Sequence, residues 1–148
     1  MTSSTEMQFY LSKVIDEQDL IDFWNKQLNI RLESLNHPDS KATAFLMMTT
    51  YDTGFPVDIN VSYQELTIPK TNHLSVAKLL AQHYNMSVVT DLPNDDQDRL
   101  DPYYWCLVQP EGLLSKVKQD ISASENTESL ILDISSKQSL KLNQVLSL

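Results

Sequence analysis

Between Val57 and Gln64 the chain alternates without a break. Val57, Ile59, Val61 and Tyr63 fall on one side, and Asp58, Asn60, Ser62 and Gln64 on the other. Successive side chains of a strand point to opposite faces, so this pattern requires a strand with one dry and one wet face. The apolar, β-favouring run 42–51 precedes it, and Asp52-Thr53-Gly54 between the two is a turn. They read as an antiparallel hairpin, with Pro56 at the strand start, where a missing donor is tolerated. The dry face of such a sheet needs an apolar cover, and the chain carries two candidates for it.

Ile21, Trp24, Leu28, Leu32 and Leu35 recur at spacings of three and four, behind an N-cap at Asp16 and acids at Glu17 and Asp19. The spacing predicts a helix over about residues 17–34, ended by Asn36-His37-Pro38-Asp39. His73, Val76, Ala77, Leu80 and Tyr84 mark a second helix, capped by Thr71 or Asn72 after the break at Pro69 and stopped at Asn85. Residues 7–14 and 86–90 and the aromatic run 103–109 read as strands. The turn Pro110-Glu111-Gly112 leads into a return strand over 113–121, with Lys116 and Lys118 facing water. Residues 122–148 begin serine-rich and turn aliphatic, and they read as extra strands or a docked tail. The expected order is β-α-β-β-α-β-β-β plus that segment. This is an α+β domain over residues 1–121, a single mostly antiparallel sheet with two helices packed on one face.

Charge narrows the function classes. Twenty acids against eleven bases in 148 residues give a formal charge of −9, with a pI near 4.6. Such a field repels phosphate backbones and anionic lipid, so no nucleic acid and no membrane is an expected partner. A basic protein surface is. No apolar run approaches the ~20 residues that span a bilayer. The polar start, Met1 to Gln8, lacks the basic and apolar regions of a secretory signal. The lone cysteine, Cys106, reads as a small buried hydrophobe in a strand and suits a reducing cytoplasm.

Catalytic grammar is missing. Only Gly54 and Gly112 occur, and loops that cradle phosphate need several glycines for close backbone approach. G-x-S-x-G is absent as well. His37 falls in a loop, and His73 and His83 sit about three turns apart on one helix, so they do not share a metal through it. No catalytic residue, cofactor or metal site is expected.

One stretch stands out. Asp91, Asp95, Asp96, Asp98 and Asp101 lie within eleven residues, with Arg99 as the only base. The glycine and closing glutamate of a calcium loop are missing. Two readings stand: a solvated loop, and an anionic platform for a basic partner. The following Tyr103-Tyr104-Trp105 either fills the sheet–helix core or joins the loop in an interface, since tyrosine and tryptophan beside charge compose interface hot spots. Alternation sends Tyr103 and Trp105 to one face and Tyr104 to the other. The expected partner-binding residues are Asp91, Asp95, Asp96, Asp98, Asp101, Tyr103 and Tyr104.

Three blocks carry a resemblance: Leu74-Ser75-Val76-Ala77-Lys78-Leu79-Leu80-Ala81-Gln82-His83-Tyr84; Met86-Ser87-Val88-Val89-Thr90-Asp91; and Asp101-Pro102-Tyr103-Tyr104-Trp105-Cys106-Leu107-Val108 with Pro110-Glu111-Gly112. Helix, strand, acidic loop and a hairpin closed by a glycine-containing turn resemble, over about residues 7–120, small bacterial immunity proteins of polymorphic toxin and contact-dependent inhibition systems. The resemblance implies a cytoplasmic, non-enzymatic inhibitor of a cognate toxin domain, often a basic nuclease. Two other readings remain. Type III secretion chaperones are also small acidic α+β proteins, and the aliphatic C-terminal segment would serve their homodimer, although they typically open with a helix. A metal-dependent hydrolase using the aspartate loop is the third.

Overall fold

The computed structural model describes residues 4–28, 32–34, 44–64, 73–93, 96–127 and 129–140. The fold is α+β. Its strands are β1 Ser4–Leu11, β2 Leu32–Ser34, β3 Ala44–Thr50, β4 Val57–Gln64, β5 Val88–Thr90, β6 Tyr104–Val108, β7 Leu114–Gln119 and β8 Leu132–Ser139. They form one open eight-stranded sheet in the order β2-β3-β4-β1-β5-β6-β7-β8. The β2–β3 pair is parallel and the other pairs are antiparallel. The two main helices are α1 Glu17–Leu28 and α2 His73–Tyr84, and a short α3 spans Ile121–Thr127.

β1 joins the halves of the sheet. It pairs along its whole length with β4, and through Tyr10 and Leu11 alone with β5. Alternation sends Met7, Phe9 and Leu11 into the core and leaves Gln8 and Tyr10 on the opposite face. Leu20, Ile21 and Trp24 of α1 and Leu74, Ala77 and Leu80 of α2 share that core, so both helices cover one face. Phe9 is fully buried and meets the Trp24 ring edge-on, with centroids 5.7 Å apart. Burying a side chain of this size contributes about 1.5–3 kcal/mol. Asp16 caps α1 by accepting the Asp19 N–H at 3.0 Å, and Asn85 ends α2 at φ 50°.

Among the described residues, the second face is covered over β5, β6 and β7. Val89, Leu107, Val117 and Leu130 form a smaller cluster there, flanked by Tyr10, Phe55, Trp105 and Leu132. The β3–β4 turn reaches across to it. Phe55 N–H donates to Leu130 O at 3.0 Å, and the Thr53 and Ser129 hydroxyls lie 3.3 Å apart. Gly54 sits at φ +66°, where a Cβ would lie 2.5 Å from Leu130 O, so the closure requires glycine.

α1 is shorter than its stripe predicts. It spans Glu17–Leu28, and Leu32–Ser34 enters the sheet as β2. Asn25 explains the change. Its Oδ1 accepts the Leu32 N–H at 2.6 Å, and its Nδ2 donates to Leu32 O at 3.2 Å. These bonds take the backbone groups a longer helix would have used. Leu32 stays buried, now in the sheet, so its apolar spacing fits both conformations.

The return strand also differs. β7 ends at Gln119, and Ile121 opens α3, whose first turn is capped by Asp120 Oδ1 accepting the Ala123 N–H at 3.1 Å. Lys118 faces water as expected, but Lys116 is buried. Both faces of β7 are covered here: Val117 joins the second cluster, and Lys116 lies opposite Cys106 on the helix side. Past Ser122 the chain supplies most of α3 and all of β8, which pairs with β7 across an irregularity between Lys116 and Lys118. Leu35, the stop at Asn36 to Asp39 with His37, Pro69, the caps at Thr71 and Asn72, and residues 141–148 lie outside the described residues. No described helix is long and apolar enough to cross a membrane.

Candidate functional site

The acidic stretch connects β5 to β6 and is built from successive turns. Asp96 N–H donates to Pro93 O, Arg99 N–H to Asp96 O, and Asp101 N–H to Asp98 O, at 3.0, 3.1 and 3.0 Å. Aspartate side chains reinforce them by accepting from the backbone two residues on. Asp98 N–H reaches Asp96 Oδ1 at 2.9 Å, and Tyr103 N–H reaches Asp101 Oδ1 at 2.9 Å. The local aspartate density therefore folds the loop as well as charging it.

Lys116 fixes this loop to the sheet. Its Nζ lies 2.8 Å from Asp96 Oδ1 and 2.7 Å from Asp98 Oδ2. Burial opposes the charged form of each partner. For Asp96, the Lys116 ammonium and the Asp98 amide outweigh that penalty and hold the carboxyl below its ordinary range. For Lys116, desolvation is likewise outweighed by the two carboxylates, and its pKa is raised. Asp96 and Asp98 are thus engaged within the molecule and are not free contact groups.

The other expected residues separate. Asp91 is about half exposed and lies 3.6 Å from the Arg99 guanidinium. Its backbone carbonyl is 3.0 Å from His73 Nε2, and burial lowers the His73 pKa against the opposing pull of Asp91. Asp95 lies outside the described residues. Asp101 is exposed, and Tyr103 is 42% exposed. Tyr104 packs against the helix-side core. Trp105 packs on the opposite face, edge-on to Tyr10 at 5.4 Å, and donates its Nε1–H to Gln119 Oε1 at 3.1 Å. The aromatic triplet divides between two cores and the surface. Compared with protein-family models, with curated proteins and with solved structures, the chain matches none.

Two residues complete the loop that its acid pattern does not mark. Leu100 stands 93% exposed between Arg99 and Asp101. A leucine in the acidic run is the signal, but it is shared with Leu92, which the fold buries. Lys116 has no such signal, because a lysine at that position reads as a solvent-facing strand residue. Tyr10 is a third addition. Gln8 Nε2 donates to Tyr10 Oη at 3.1 Å and to Asp58 Oδ1 at 3.2 Å. Burial and then the Asp58 carboxylate, with a smaller contribution from Asp91, push Tyr10 up to about 12.

Groups suited to chemistry are dispersed. His83 stacks on Phe23 with ring centroids 4.0 Å apart, at the far end of α2 from His73. Cys106 is fully buried, and desolvation pushes its thiol up to about 12, which suppresses the reactive thiolate. Among the described residues, no group of three or more His, Cys, Asp or Glu side chains is placed to hold a metal ion.

Proposed function

We propose that this chain is a cytoplasmic, non-enzymatic inhibitor of the immunity-protein kind, which captures a basic toxin domain through the loop that joins β5 to β6. The observation that carries the reading is Leu100, an apolar side chain held in water on a loop anchored by Lys116. A surface fixed before contact avoids ordering costs of about 0.5–1.5 kcal/mol for each side chain otherwise immobilised on binding. The acidic residues divide their labour: Asp96 and Asp98 position the loop, while Asp91, Leu100, Asp101 and Tyr103 meet the partner. The −9 charge speeds encounter with a basic surface by roughly 10–10³-fold. Leu100 and Tyr103 provide apolar contact once charge has aligned the partners.

Co-expression with the protein encoded immediately upstream tests the reading. That neighbour is expected to arrest growth alone, and this chain is expected to restore growth and co-purify with it. Leu100→Asp and Tyr103→Ala are each expected to weaken the complex at least tenfold while leaving the isolated chain's melting temperature unchanged. A harmless neighbour, or growth that this chain does not restore, overturns the reading.

A further inference from the structure

The second face of the sheet is covered over β5, β6 and β7 by the cluster around Leu130, which ends at Tyr10 and Phe55. Beyond Tyr10, the outward-facing positions of β1, β4, β3 and β2 continue the same face. Met47 is 48% exposed there, Phe45 is part-exposed, and Glu6 and Thr49 are exposed. We propose that this outer half-face is a docking surface for a basic amphipathic helix of a partner protein.

Shape and charge agree on that occupant. Four strands about 4.8 Å apart span about 14 Å, which accommodates one helix of about 10 Å diameter. Helices already seat on the other face of the same strands, the usual cover for an α+β sheet. Phe45 and Met47 offer the apolar contact such a helix needs, flanked by the polar Gln8, Asn60 and Ser62, with Tyr10 at the border of the covered half. Glu6, Glu33 and Asp58 add negative charge, and β1 to β4 contain no lysine or arginine. The helix therefore carries Lys or Arg beside its apolar stripe. The surface goes beyond the proposed loop contact yet adjoins it, since Tyr10 pairs with Asp58 on one side and, on the other, with Val89, two residues before Asp91.

The test uses the whole chain, 15N-labelled, titrated with an 18-residue helical peptide of leucine and lysine. The control peptide replaces each lysine by glutamate. Saturable amide shifts are expected to concentrate in β1, β3 and β4 for the basic peptide alone. Glu6→Lys with Glu33→Lys is expected to weaken binding at least tenfold, and so is the single exposed change Met47→Lys. Shifts centred on the acids of α1, namely Asp16, Glu17, Asp19 and Asp22, or on the loop would overturn the proposal. So would an equal response to the acidic peptide, or no saturable binding. The outcome is separable from that of the toxin experiment: the peptide can miss this face while growth is restored, or bind it while growth is not.

Discussion

The Lys116 ammonium lies 2.8 Å from Asp96 Oδ1 and joins the loop leaving β5 to the strand that returns beside β6. Asp98 Oδ2 completes the arrangement at 2.7 Å. One buried cation thus organises the most acidic part of the chain, and its removal leaves two neighbouring carboxylates without their shared counter-charge.

Lys116→Met is accordingly expected to cost about 1–3 kcal/mol, below the largest values for breaking a buried pair because Asp98 keeps access to water. Urea unfolding monitored by tryptophan fluorescence measures it. Adding Asp96→Asn to Lys116→Met is expected to recover part of the loss, since one of the two unpaired charges is then gone. Strict additivity of the two changes would show that the residues are not coupled.

The same groups set a pH window. The Asp96 carboxyl is held below its ordinary 3.8, so its contribution is complete above that value and is lost as pH falls through the lower folded pKa. Lys116 is raised above 10.5, so its contribution is complete below that value and is lost as pH rises through the folded pKa. His73 is lowered from 6.5 by burial; its contribution is complete above 6.5 and declines as pH falls through the lower folded value. Urea midpoints across pH are expected to show an acid limb that flattens in Asp96→Asn, and a decline below pH 6.5 that flattens in His73→Gln.

Gly54→Ala is expected to destabilise the fold by about 1–3 kcal/mol, the range for forcing extra atoms into a packed site. The new methyl would meet Leu130 O at 2.5 Å and Ser129 Oγ at 2.8 Å, at a φ of +66° that disfavours a side chain. Thermal unfolding reads the loss. An unchanged melting temperature would show that the β3–β4 turn does not hold Leu130 in place.

Cys106 is expected to react with a thiol reagent only as the chain unfolds, because its thiol is both buried and held protonated. Labelling across a urea gradient should follow the fluorescence transition. Rapid labelling in native buffer would place the thiol at the surface instead.

Much of the architecture is legible in local spacing. The alternation of Val57, Ile59 and Val61 marks the dry face of β4, and the stripe Ile21–Trp24 marks the buried side of α1, because each depends only on the period of its own element. Asn85 and Gly112 likewise announce their turns, at φ 50° and 95°. The aspartate count shows where negative charge is concentrated. These features determine the α+β class, the sheet with helices on one side, and the position of the acidic loop.

Tertiary structure decided the rest. Leu32 suits a helix or a strand equally by spacing, and the hydrogen bonds from Asn25 select the strand. Lys116 sits where alternation alone predicts water. It is buried because Asp96 and Asp98, brought back by the loop, supply its counter-charge. Which aspartates hold the loop and which stay exposed depends on such pairings, and coverage of the second sheet face over β5, β6 and β7 depends on the segment that carries Leu130. Periodicity is a property of a few consecutive residues, whereas charge compensation and coverage arise between segments that the chain separates and only folding brings together.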